Sequence, residues 1–232
     1  LSHFSVCVVT HPGGPNVKQL LAPYAEELQV TAYKDYLAAD HYLITATTKE
    51  GADITDPVSF CEAYTKKWAE EDGDGALFHD EKGYYTWSTY NPQSKWDWYA
   101  EGGCYAGRLL QKGEPEPVNT SRLRDLDWDR MLVMRQIALS EYWDELQTMS
   151  EDRRKFHLWG EVLPATKEEY VAKAKVLIAY AYLDKDGWVA QNKMGWWGIS
   201  VGEETENWDE IFLTKVKGLP LDCTITIVDC HI

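Results

Sequence analysis

Residues 84–110, YYTWSTYNPQSKWDWYAEGGCYAGRLL, constrain this chain more than any other stretch. Eight of these 27 residues are aromatic, and Lys95, Asp97, Glu101 and Arg108 are interleaved with the rings. Rings in this number are costly to leave in water, so they must be packed or held for stacking. A strand destined only for a core would be more apolar and would not carry Gly102-Gly103. The pattern predicts strands over 83–90, 95–100 and 105–110, with Asn91-Pro92 turning the first into the second. On a regular strand Trp96 and Trp98 share one face and Asp97 and Tyr99 the other. Arg108 is then a partner for Asp97, or a holder of an anion.

Strand and helix signals alternate irregularly along the rest. Residues 4–10, FSVCVVT, form a β-branched run that reads as a buried strand. Pro15 suits the first turn of a short helix carrying Val17, Leu20 and Leu21, which Pro23 ends. Residues 29–36 and 41–48 both have strand-like content. Asp56-Pro57 caps a helix on which Phe60, Tyr64 and Trp68 recur every four residues, a stripe that reads as core. Asp72-Gly-Asp-Gly75 closes it with turn chemistry, without the later ligand positions of a calcium loop. Beyond the polar loop at 113–118, residues 128–149 read as a long helix and 150–159 as a short one with a solvated basic cluster. Thr166 and Glu169 predict a capping box for a helix through about residue 176. Asp-Gly at 186–187 marks a hairpin between 177–183 and 188–191. Residues 207–217 read as a last helix stopped by Gly218, and 223–230 as a last strand. The whole predicts an α+β fold with a mainly antiparallel sheet, a ferredoxin-like core with insertions being one arrangement. A single domain over 1–232 is expected, with a helical insertion at about 112–165.

Composition excludes several classes. At 44% hydrophobic and 26% charged residues the chain is an ordinary globular one. A net charge of −15 argues against a general nucleic-acid-binding surface, which needs a basic face. No apolar run approaches the ~20 residues of a membrane span, and no signal-peptide pattern opens the sequence, so a cytoplasmic setting is expected. Five cysteines without a CxxC pair indicate neither a disulfide framework nor a zinc ribbon. No GxSxG, Walker A, HExxH or dinucleotide fingerprint occurs.

The period of two sorts the last strand into Ile225, Ile227, Asp229 and His231 on one face and Thr224, Thr226, Val228 and Cys230 on the other. His3, Ser5 and Cys7 share a face of the first strand. If the two terminal strands pair, His3, Asp229 and His231 meet at the end of the sheet. Two histidines beside a carboxylate can supply an acid and a base, or metal ligands; from the residues alone, ordinary capping or core histidines are the commoner reading. Lys193 precedes Gly195-Trp196-Trp197-Gly198, where glycines let backbone approach a ligand and indoles can stack on a base, or where a turn plugs the core.

Four pieces of the sequence, SHFSV at 2–6, KWDWY-x-x-GG at 95–103, KMGWWG at 193–198 and VDCHI at 228–232, resemble a widespread group of tailed-phage and prophage proteins. That group begins Ser-His-Phe, carries Lys-Trp-Asp-Trp-Tyr followed by Gly-Gly-Arg-Trp, and ends Asp-Cys-His-Ile. Cys104-Tyr105 stands here where the group has Arg-Trp, leaving Arg108 as the substitute. The resemblance implies a phage accessory protein acting in the cytoplasm of the infected bacterial host. Counter-defence by capturing or cleaving a cyclic nucleotide immune signal is one such role. On that reading Trp98, Trp196 and Trp197 stack on bases, Lys95, Lys193 and Arg108 meet phosphate, and Trp96 and Asp97 belong to the same ligand site. If the role is cleavage, His3 and His231 are the acid and base, with Asp229 orienting one imidazole, in a metal-independent phosphodiesterase without cofactor; a metal hydrolase using His3, His231 and Asp229 is a third reading. The alternative class is an acidic inhibitor of a host protein, including a DNA mimic. Expected partners are therefore a small nucleotide ligand, a host protein or a second copy, with neither membrane nor general nucleic-acid binding.

Overall fold

The computed structural model describes residues 3–38, 41–49, 51–71, 75–158, 163–194, 200–201 and 205–232. In chain order the strands are β1 (His3–Thr10), β2 (Tyr33–Tyr36), β3 (Phe78–Asp80), β4 (Gly83–Ser88), β5 (Trp98–Glu101), β6 (Thr120–Arg122), β7 (Ala181–Asp184), β8 (Gly187–Ala190), β9 (Lys193–Met194), β10 (Ser200–Val201) and β11 (Thr224–His231). The helices are α1 (Val17–Leu21), α2 (Tyr42–Lys49), α3 (Pro57–Tyr64), α4 (Trp128–Thr148), α5 (Glu151–His157), α6 (Lys167–Ala172) and α7 (Trp208–Lys217). The fold is α+β and its sheets are mainly antiparallel. Among the described residues no helix is long and apolar enough to cross a membrane.

Where one domain is expected, the chain divides into two compact units. The first is Leu1–Ala25 with Gln93–Ile232, and the second, Glu26–Pro92, is inserted into it. The helical stretch expected as an insertion at about 112–165 belongs to the first unit as α4 and α5.

The first unit is built on a six-stranded sheet ordered β5-β11-β1-β7-β8, with β6 also pairing with β11. β1 and β11 pair antiparallel along their full eight residues, from His3 opposite His231 to Thr10 opposite Thr224. The outer edge of β11 is shared: β5 takes Val228 to His231 and β6 takes Thr224 to Thr226. β7 runs parallel to β1. This distinguishes the order β11-β1-β7-β8 from a ferredoxin-like core, in which both neighbours of the first strand run against it.

The period-two sorting of the last strand holds. Cys7, Val9, Ile225 and Ile227 pack one face against Phe212 and Val216 of α7 and Met131 of α4. Phe4, Val6, Val8, Val228 and Cys230 pack the other against Leu20 and Leu21 of α1 and against Trp96. Burying a side chain such as Ile225 or Val8 contributes about 1.5–3 kcal/mol, and two such faces hold the central strands rigid. Ends of β1 and β11 are therefore a firm platform for whatever side chains they carry.

The second unit pairs β2-β4-β3 and packs Ile44 of α2, Phe60 and Tyr64 of α3, and Leu77 into its own core. Here α2 (Tyr42–Lys49) stands where a strand over 41–48 is expected. Ile44 and Thr47, three apart, are buried, and helical spacing under Phe60 overrides the β-branched content. In the first unit, 105–110 is not a strand either: Gly107 has φ +73° and only Leu109 makes a bridge, to Val118. Helix α6 ends at Ala172, short of 176, and in its reciprocal cap bond the Ala165 amide donates to the Glu169 carboxylate, one residue before the expected Thr166.

Candidate functional site

Three side chains stand in a row across one end of the main sheet. His3 is the register partner of His231, and His231 is the partner of Trp98 on its other side. The imidazoles are 5.3 Å apart between centroids, with planes at 69°. The Trp98 ring reaches across the intervening strand to 6.2 Å from His3, edge-on, and is half exposed.

Each histidine has its own carboxylate. His3 donates Nδ1–H to Asp229 Oδ1 at 2.9 Å, and His231 donates Nδ1–H to Asp97 Oδ1 at 2.8 Å. Asp229 lies two residues before His231 on the same face of β11, so it meets His3 on the diagonal of the ladder. Asp97 is held by its own amide, which donates to the His231 carbonyl at 3.0 Å. Committing Nδ1–H to a carboxylate leaves Nε2 of a neutral imidazole as an acceptor, or of an imidazolium as a donor. His231 Nε2 is buried and has no hydrogen-bond partner among the described residues.

Asp229 is buried, at 1% exposure, yet both of its oxygens are satisfied. Oδ2 accepts the Cys104 amide at 2.8 Å. Gly102 and Gly103, at φ +78° and +49°, make that approach possible: a Cβ on Gly103 would overlap the carboxylate, and one on Gly102 would overlap the Asn119 side chain. Burial works to raise the Asp229 carboxyl, but the Cys104 amide, the His3 ring and the Cys104 thiol outweigh it and hold it below the usual carboxylate range. The Asp229 carboxylate in turn pushes the Cys104 thiol up, by hydrogen bonding first, then with burial and charge. Tyr105 completes the support by donating its hydroxyl to the His3 carbonyl at 3.0 Å.

The expected site residues divide. His3, His231, Asp229, Asp97 and Trp98 come together. Trp96 does not share their face: it is buried against Leu20 and Leu21, with Nε1–H donated to the Leu21 carbonyl. The chain bends at Asp97 and β5 begins only at Trp98, which breaks the alternation that put both tryptophans on one side. Asp97 takes His231 as partner in place of Arg108, whose guanidinium lies over the Tyr105 ring at 4.5 Å. Lys95 is half-buried and its amide donates to the Tyr24 carbonyl at 2.8 Å. The Lys193 side chain, Trp196 and Trp197 lie outside the described residues. Cys104 and Tyr105 were missed as site residues, although a Gly-Gly pair at the end of a strand is a signal for close backbone approach.

Chemically, two carboxylate-oriented imidazoles side by side form an acid–base pair. A thiolate nucleophile is disfavoured, because the carboxylate beside Cys104 stabilises the protonated thiol. His3, Cys104 and Asp229 also offer ligand atoms within 4.8 Å of one another, a set whose nitrogen, sulfur and oxygen donors suit zinc. In the observed arrangement those donors are turned on one another: His3 Nδ1 and the Cys104 amide each hold one oxygen of Asp229. Compared with protein-family models, curated proteins and solved structures, the chain has no match.

Proposed function

We propose that the paired histidines act as general acid and general base in metal-independent cleavage of a nucleotide phosphodiester, as a phage counter-defence activity against a nucleotide immune signal. The observation that carries the chemistry is that His3 and His231 face each other with separate carboxylates on Nδ1. Substrate entry uncovers the buried His231 Nε2; one Nε2 then takes the proton of the attacking hydroxyl as its oxygen forms the new bond to phosphorus. The other Nε2–H protonates the leaving oxygen as its bond to phosphorus breaks, so protons and charge balance without a further reactant. The half-exposed Trp98 ring beside them supports a planar base as the adjoining group. The counter-defence setting rests on the resemblance of the four motifs.

The test is incubation of the purified protein, before and after dialysis against a chelator, with cyclic di- and trinucleotides and product analysis by mass spectrometry. Cleavage that survives chelation and is lost in His3→Asn and His231→Asn supports the reading. Intact but bound nucleotide would reject cleavage in favour of sequestration, and absence of binding to every nucleotide would sink both.

A further inference from the structure

Away from the histidine row, the first unit contains a cavity of about 620 Å³ beside α4. That volume lies within the ~300–1,000 Å³ of small-ligand pockets. Arg108, Arg130, Arg135, Lys173 and Lys175 line it, against one carboxylate, Asp209. The chain as a whole has 38 acids for 23 bases, so this local reversal of sign is the opposite of its average surface. Cations gathered in one wall repel, and an anion between them removes that cost.

The cations are presented, not neutralised. Arg130 is fixed by donating to the Glu114 and Pro115 carbonyls at 2.5 and 2.6 Å. The Arg108 guanidinium lies over the Tyr105 ring, and its charge and that of Arg135 are close enough to repel. Among the described residues no carboxylate pairs with Arg108, Arg135, Lys173 or Lys175. Between these heads the lining is apolar: Leu110, Met131 and Leu177 are buried core residues, and Met134 and Leu139 extend the same surface along α4. Methionine side chains adapt to the shape of an apolar body. Guanidinium groups select oxyanions with several acceptor oxygens, and several cations favour a dianion over a monoanion.

We propose that this cleft binds a small organic phosphate, with the phosphate among the arginines and lysines and an aromatic or aliphatic body on the methionine and leucine surface. None of its lining residues belongs to the histidine row, so the site is a second one.

Calorimetric titration with 1-naphthyl phosphate, with 1-naphthol and inorganic phosphate as controls, tests both halves of the recognition. Naphthyl phosphate is expected to bind one to one, with each control weaker by roughly tenfold or more. Arg135→Gln combined with Lys173→Gln is expected to weaken it by a similar factor, as is Met134→Glu, which sets an acid on the apolar wall; all three positions are exposed, and an unchanged melting temperature verifies the fold. Raising the salt concentration weakens binding in the parent. No heat at millimolar naphthyl phosphate, or binding indifferent to these substitutions, would overturn the proposal. Loss of binding only in His3→Asn or His231→Asn would place the ligand in the histidine row and overturn the second site while leaving the reading of that row intact.

Discussion

His3 and His231 are direct partners across the β1–β11 ladder, their rings 5.3 Å apart, and each is anchored through Nδ1 by a different aspartate. Replacing either ring with asparagine keeps a polar side chain on the strand end and removes the proton relay. Cleavage is expected to fall roughly 10²–10⁴-fold for each, the usual worth of a positioned acid or base. Variants that cleaved at the parent's rate would show that the imidazoles do not exchange protons with the substrate.

Gly103→Ala tests the backbone approach to Asp229. The added Cβ meets the carboxylate and the residue is already at φ +49°, so the loop must retreat and the Cys104 amide must release Oδ2. Left-handed backbone alone costs an alanine roughly 1–2 kcal/mol, and the lost amide bond to a buried carboxylate adds a similar amount. A fall of several degrees in melting temperature is expected, together with reduced cleavage. Gly113→Ala, also at positive φ but with open space at its Cβ, is the control for backbone strain alone and should cost less.

Much of this was legible because β1 and β11 are long, regular and buried on both sides. Period two placed His3, Asp229 and His231 on one face, and pairing of the two strands brought them together. The same period failed at Asp97, where a bend precedes β5 and sends Trp96 into the core while Trp98 stays at the row. Alternation describes a strand only while the pleat is unbroken. Residues 42–49 misled for a different reason: Ile44, Thr45, Thr47 and Thr48 favour strands intrinsically, and burial of Ile44 under Phe60 decided for a helix. The cationic cleft was invisible because its walls come from the loop around Arg108, one face of α4 and residues 173–178, and no local pattern announces that they meet. Only Arg108 carried a signal, as a partner for Asp97 or a holder of an anion, and its observed neighbour is the Tyr105 ring.

Asp229 should leave a mark on acid stability. Its carboxyl is held below the ordinary range in the folded chain, so its stabilising effect is complete above the unfolded value of about 3.9 and is lost as pH falls through the lower folded value. Asp229→Asn removes that dependence. The urea midpoint of the variant is expected to lie below the parent's at pH 7 and to approach it below about pH 4. Asp80, lowered to about 2 by Lys34 first and then by the Lys82 amide, leaves the variant a residual slope of the same sign. Parallel curves for parent and variant down to the acid limit would show that Asp229 is not paired as described.

The last expectation concerns Cys104, which is exposed while Cys7, Cys223 and Cys230 are buried. Exposure alone would make it the fast thiol towards a disulfide reagent, but Asp229 pushes its pKa up and so lowers the thiolate fraction that reacts. Burial pushes Cys7 up to about 12, so that thiol stays silent in the folded protein. Asp229→Asn removes the charge and should speed modification of Cys104. Mass mapping of the labelled residue separates this from exposure of a buried thiol through loosening of the fold. A metal held by His3, Cys104 and Asp229 would instead deprotonate the thiol and shield it. Added zinc would then slow the parent's reaction and leave the variant's nearly unchanged, whereas indifference of both proteins to zinc is the outcome expected of a pair of histidines that works through protons alone.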